Sequence, residues 1–187
     1  MHDENAFGIW IANTYVEDDE YGRDDLAEFV DRLSLFRRLV LQYVGENPLG
    51  AGGFALDLGH GLYLEVAEEG TSGLLAWGKK LRTELSEHDF DSTLVVTHGG
   101  RWVDEGVAAV ELGSLANLQL ATLRGPSEPL RRALFAETAS HGLPDEDAAW
   151  GPGFYLDTEA AEALGVKPKN APTLLEVAGA QYFRVSR

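Results

Sequence analysis

The amino-acid sequence predicts an α+β domain: an antiparallel-rich sheet with helices on one face, a ferredoxin-like β-α-β-β-α-β core and a C-terminal β/α extension. Three observations carry this expectation. Within residues 53–66, Phe54, Leu56 and Leu58 alternate with Ala55 and Asp57, and Leu62, Leu64 and Val66 alternate with Tyr63 and Glu65. Two period-two runs separated by Gly59-His60-Gly61 make a hairpin, because glycine permits the positive φ of a tight turn. Segments of helical periodicity lie on either side of that hairpin. Strongly β-prone runs precede the first of these segments and follow the second.

In chain order, residues 7–12 are nearly continuous in apolar character, as a buried central strand is, and Asn13-Thr14 follows at its end. Glu17-Asp18-Asp19-Glu20 reads as a solvated acidic turn rather than a cation site. Asp25 and Glu28 form a capping-box pattern. After it Leu26, Phe29, Val30, Leu33, Phe36, Val40 and Val44 recur at helical spacing, with Gly45 as the stop and Arg32, Arg37 and Arg38 on the polar face. Gly70-Thr71-Ser72 caps a second helix with a buried stripe of Leu74, Trp77, Leu81 and Leu85. Residues 93–97 read as a strand that stops at His98-Gly99-Gly100, and 101–103 resume an extended pattern. Residues 107–112 and 118–123 read as further strand. Ser127 opens a helix that tolerates Pro129 in its first turn. A short strand at 154–156 precedes a short helix capped by Thr158 and closed by Gly165, and 174–177 with 181–185 make a last hairpin around Gly179.

The chain has 187 residues, enough for one sizeable core, and no linker splits it, so 1–187 reads as a single domain. The net charge of −16 argues against nucleic acid or an anionic membrane as partner, since both call for basic surface. The absence of cysteine excludes disulfides and thiol chemistry. The first residues are acidic and unlike a signal peptide, and no apolar run is long enough for a membrane span; the expectation is a cytoplasmic protein.

The order of these elements, with its landmarks, resembles the class III nucleotidyl cyclase catalytic domain. That family opens with a buried strand reading roughly F-A-D-I, matched here by Ile11-Ala12-Asn13-Thr14. Its hairpin turn reads G-D-G, here Gly59-His60-Gly61. A strand ending H-T-G is matched by His98-Gly99-Gly100, and a late I-L-V-S-E-E-T by residues 155–161. The resemblance covers nearly the whole chain and implies a cyclase-homology fold. It also implies a tendency to dimerise face to face, with a cleft at the interface.

The resemblance further implies that the family's chemistry is missing. Family enzymes hold two divalent cations with two carboxylates so that a ribose hydroxyl attacks the α-phosphorus. The matching residues here are Asn13, neutral and a poor Mg²⁺ ligand, and His60, which suits softer metals. The purine-contacting Lys falls at Leu56. For the late N-x-x-x-R pattern, one alignment keeps Asn117 but places Ala121 at the Arg, and another keeps Arg132 but places Glu128 at the Asn. The expectation is a degenerate, catalytically inactive domain with no catalytic residues, no bound metal and no cofactor. It would act as a regulatory ligand-binding or protein-interaction module. Its partners would be a second copy, or a cyclase-like or signalling protein, and its ligand class a small nucleotide. The expected ligand-binding residues are Asn13, Asp57, His60, His98, Arg101, Asn117 and Arg132.

Two enzyme-like readings compete for the same residues. Residues 94–100 also resemble the V-x-H-G-G motif of histidine phosphatases, which gives a phosphoryl-transfer or phosphatase alternative using His60 and His98. Gly59 stands where that family's phosphate-clamping Arg would precede the His, and the two histidines are close in sequence for it. A metal site of Asp57, His60 and His98 requires their strands to be neighbours and their side chains to converge. Arg131-Arg132 reads as a solvated helix face, and Trp102 and Trp150 as the tryptophans most suited to interface or ligand contact.

Overall fold

Strand β1 (His2–Asn13) is twelve residues long and runs through the middle of the sheet. The computed structural model describes residues 2–13, 23–49, 54–57, 61–69, 72–103, 129, 152–167, 175–177 and 180–185. After β1 come α1 (Arg23–Glu46), β2 (Phe54–Asp57), β3 (Gly61–Ala67), α2 (Leu74–Ser86) and β4 (Ser92–Val103). Then follow β5 (Gly153–Asp157), α3 (Thr158–Ala163), β6 (Leu175–Val177) and β7 (Ala180–Arg184). Among the described residues the sheet has seven strands in the order β2-β3-β1-β4-β5-β7-β6. The first four are antiparallel throughout, the arrangement that a β-α-β-β-α-β unit with two crossover helices produces. Strand β5 joins parallel to β4, and the β6–β7 hairpin completes the edge.

The two faces of β1 carry different side chains, and both are buried. Phe7, Ile9 and Ile11 join Leu62, Leu64 and Val66 of β3 and Leu94 and Val96 of β4 in one core, which α1 covers with Phe36, Val40 and Tyr43 and α2 with Leu74, Trp77, Leu81 and Leu85. Tyr43 donates its hydroxyl to the Trp77 carbonyl at 3.0 Å, and the Trp77 indole N–H donates to the Asn47 carbonyl at 2.7 Å, which fixes the two helices to each other. Gly78 is glycine for space: a Cβ there would lie 2.6 Å from the Phe154 ring. The opposite face carries Gly8, Trp10, Tyr63, Glu65, Val95, Thr97 and Tyr155, all buried as well. Pro129, helical as expected, packs there against Gly8, and its carbonyl accepts the Thr97 hydroxyl at 3.0 Å.

The structure corrects several local expectations. Helix α1 begins at Arg23, ahead of Asp25, and runs through Gly45. It ends where Asn47 returns its backbone and side-chain N–H groups to the Tyr43 carbonyl. Strand β4 does not stop at His98-Gly99-Gly100, because Gly99 and Gly100 pair with Ala6 and Asn5 of the long β1. The N-cap of α2 is Gly73, at φ 110, rather than residues 70–72. The cap of α3 is Asp157 rather than Thr158. The expected strands at 107–112 and 118–123, and the helix beyond Pro129, lie outside the described residues.

Asp157 is fully buried and ties three elements. One carboxylate oxygen accepts the Ala160 N–H at 2.7 Å and caps α3; the other accepts the His98 N–H at 3.3 Å, continuing the β4–β5 ladder past its last backbone pair. An amide offers one acceptor and turns its NH₂ toward the other donor. Asp157→Asn is therefore expected to lower unfolding free energy by about 1–3 kcal/mol in urea titrations. Unchanged stability would show that the tie contributes nothing.

Candidate functional site

The register of β1 decides which of the expected residues can meet. Ala12 pairs with Gly61, the chain neighbour of His60, and Asn13 pairs with Ser92. Asp57 ends β2 opposite Leu62, which in turn faces Ile11. The C-terminal end of β1, the end of β2 and the start of β3 thus lie side by side. His98 pairs with Phe7, and Arg101 with Glu4. Ala12 and Phe7 are five residues apart on one strand, about 17 Å. Asn13 and Asp57 share one end of the sheet, and His98 and Arg101 the other. His60, Asn117, Arg132, Arg131 and Trp150 lie outside the described residues, and the Asp57 and Arg101 side chains are not described.

The register keeps Asp57 and His98 at opposite ends of the sheet, so the convergence a shared metal site would require is not met by their strand positions. His98 has its own local environment. Its ring lies 4.8 Å from the Phe7 ring, and its Nε2 is 3.2 Å from a Glu68 carboxylate oxygen. The ring is tucked against the helix-covered face, with a carboxylate at its tip.

At the Asn13 end, which also carries Asp57, small residues line the buried sheet face turned away from α1 and α2. Gly61, Ala12, Thr93 and Gly153 follow one another across β3, β1, β4 and β5, with Tyr63, Trp10, Val95 and Tyr155 in the next row. The aromatic rings lean over the glycines. A Cβ on Gly61 would meet the Trp10 Nε1 at 3.1 Å and the Ile11 carbonyl at 2.6 Å, and one on Gly153 would meet the Tyr155 ring at 2.8 Å. Gly61 is thus required by close approach, not by a positive φ, which it does not adopt. Asn13 is almost wholly buried. The Trp10 indole N–H is buried above Gly61 and has no acceptor among the described residues, so it is a donor set for an acceptor atom.

Further along the same face the chemistry becomes acidic. Glu65 is buried and accepts the Tyr63 hydroxyl at 2.7 Å, directly across from Gly8. Sequence alternation placed Tyr63 and Glu65 on a polar face. The signal that they are interior was the unbroken apolar run in the adjacent β1, which requires cover on both sides.

Tyr155 lies where β5, β7 and the start of β4 meet. The Arg184 guanidinium is 6.0 Å from its ring and donates to the Pro152 carbonyl at 2.7 Å, while Arg82 donates to the Ser92 carbonyl at 3.2 Å. Burial pushes the Tyr155 phenol above its ordinary 10.0, and Arg184 and then Arg82 pull it partly back. Tyr43 is raised by burial and then by Glu84.

The sequence matches no family model and no curated protein. Among solved structures it is similar to the crystal structure of the adenylyl cyclase CyaB from P. aeruginosa. The TM-score is 0.56 at 12% identity, covering 100% of this chain and 95% of that one. A bacterial light-regulated adenylyl cyclase gives a TM-score of 0.47 at 10% identity, covering 88% and 81%. The first likeness shows the fold: the chain has the cyclase-homology architecture. No helix among the described residues is long and apolar enough to cross a membrane.

The two raised tyrosines set an alkaline limit. A phenol whose folded value exceeds its unfolded one stabilises the native state below about pH 10, and that contribution is lost as pH rises through the folded value. Urea midpoints measured from pH 8 to 11.5 are expected to fall above pH 10. Tyr155→Phe should flatten that fall whatever it does at neutral pH, and an unaltered slope would contradict the assignment.

Proposed function

We propose that the chain is a catalytically silent cyclase-like domain, one unit over residues 1–187, that works in the cytoplasm as a regulatory ligand-binding or protein-interaction module. The observation that carries this reading is Asn13. It ends β1 one register step beyond the Ala12–Gly61 pair, where the family resemblance calls for a metal-holding carboxylate. A carboxamide is a neutral ligand, and Mg²⁺ gives up hydration water reluctantly without anionic oxygen. The second carboxylate position is His60 and the purine-contacting position is Leu56, so the electrostatic basis of phosphoryl transfer is missing from all three. The net charge of −16 makes a metal-free triphosphate a poor guest overall.

A binding role fits what remains at this end. The Trp10 N–H, which has no acceptor among the described residues, and the Asn13 amide are neutral groups at the same end of β1, on opposite faces of the sheet. They favour a small nucleotide of low charge over a metal triphosphate. The module would work with a second copy, or with a cyclase-like or signalling protein. A phosphatase or other phosphoryl-transfer activity using His60 and His98 has no observation in its favour, because the register holds Gly61 and His98 far apart along β1.

Silence is tested by incubating the chain with ATP or GTP and Mn²⁺ and measuring cyclic nucleotide. The expected result is no product above that of an Asn13→Ala variant. Robust turnover that Asn13→Ala abolishes would sink the proposal.

A further inference from the structure

We infer that the solvent face of α1 pairs antiparallel with the same helix of a second copy of this chain. Val30, 51% exposed, and Leu41, 44% exposed, are the large apolar side chains left most open among the described residues. Isolated exposed apolar residues are ordinary; the spacing and symmetry of these two are not. They lie three helical turns apart and so share a face, about a third of a turn round the helix from the buried Phe36, Val40 and Tyr43. With Ser34, Arg37 and the half-buried Val44 they follow alternating steps of four and three residues, the seam of two helices packed side by side.

The seam is ready to be covered. Ser34 is its small polar member, and its hydroxyl donates to the Val30 carbonyl at 2.8 Å, so burying it leaves no orphan donor. Gly45 has open space around it. Arg32, on another side of α1, is already engaged by the Asp89 carbonyl and the Phe90 ring.

The pattern selects the partner and its direction. A two-fold axis midway between Ser34 and Arg37 sets Val30 against the partner's Leu41, and Leu41 against the partner's Val30. The same axis brings exposed Asp31 within about 3 Å, along the helix, of the partner's Arg38, and the converse. Parallel packing also sets apolar against apolar, Val30 and Leu41 each facing its own copy, but it places Arg37 beside the partner's Arg37 and forgoes the Asp31–Arg38 match. The axis falls within about one residue of the middle of α1, so roughly 33 Å of helix would overlap. This face lies on the far side of the helix layer from the Asn13 end, so the inference stands apart from the proposed ligand site. With two apolar anchors per chain, the expected association is weak and concentration-dependent.

Sedimentation velocity of the full chain across the micromolar range is expected to show a monomer–dimer equilibrium. Leu41→Glu, at an exposed position, should leave only monomer. Asp31→Arg and Arg38→Asp should each weaken dimerisation about tenfold, and the double variant should recover it, which a merely structural role would not produce. The cysteine-free chain permits a test of direction. Ser34→Cys, next to the axis, should give a disulfide-linked dimer on oxidation. Gly45→Cys should not, because the two sites lie about 29 Å apart in the antiparallel pair. A chain that stays monomeric, a dimer indifferent to Leu41→Glu, or a Gly45→Cys variant that cross-links as readily as Ser34→Cys would each overturn the inference.

Discussion

From Ala6 to Ala12 strand β1 is hydrogen-bonded along both edges and buried on both faces, and most of the architecture follows from that constraint. A strand in this position offers no water to any of its groups. Every residue must then pair through its backbone and be covered through its side chain. One face meets this with aliphatic and aromatic side chains under α1 and α2. The other alternates large and small: Trp10 beside Tyr63 and Val95, and Gly8 under the Tyr63 hydroxyl, the Thr97 hydroxyl and Pro129. The length of β1 also lengthens its neighbour, carrying β4 through a histidine and two glycines that would otherwise end a strand.

The same register distributes the polar chemistry. One end of β1 carries the Trp10 indole and the buried Gly61–Ala12–Thr93–Gly153 row on one face of the sheet and Asn13 beside Ser92 on the other, with Asp57 at the end of β2 close by. Three carboxylates away from that end are engaged: Glu65 by Tyr63, Asp157 by the Ala160 and His98 backbones, Glu68 by the His98 ring. A fold of the cyclase-homology type thus has an amide, Asn13, at the end of its first strand. Under the proposed function, that end would hold a ligand through directional hydrogen bonds rather than a metal-bridged polyanion.

Much of the frame was legible in the sequence. The periodicity of residues 54–66, 74–85 and 93–97, and the apolar run at 7–12, placed β1, the β2–β3 hairpin, α2 and β4, and their order gave the sheet its core topology. What was not legible depended on competition or on register. Asp157 and Thr158 are both good cap residues, and only the fold shows that Asp157 also has a second N–H, that of His98, to satisfy. Gly99 and Gly100 read as breakers until a partner strand long enough to pair with them exists. The separation of His98 from Asp57 could not be seen at all, because both lie in strands of similar pattern and nothing local tells which end of the sheet a residue reaches. The burial of Glu65 was not legible either: alternation reports that a strand has two faces, not that both are covered.

The central claim is that the fold is retained while its metal-holding charge is lost. It is tested most directly by titrating Mn²⁺, followed by its electron paramagnetic resonance signal, into the native chain and into a chain carrying Asn13→Asp and His60→Asp. The account predicts little bound Mn²⁺ for the native chain and a gain of at least tenfold in affinity for the double variant, because two carboxylates at the paired ends of β1 and the hairpin supply the anionic oxygens a hard cation requires. Native protein that binds Mn²⁺ as tightly as the double variant would contradict it, and would mean that other groups hold metal at this end of the sheet.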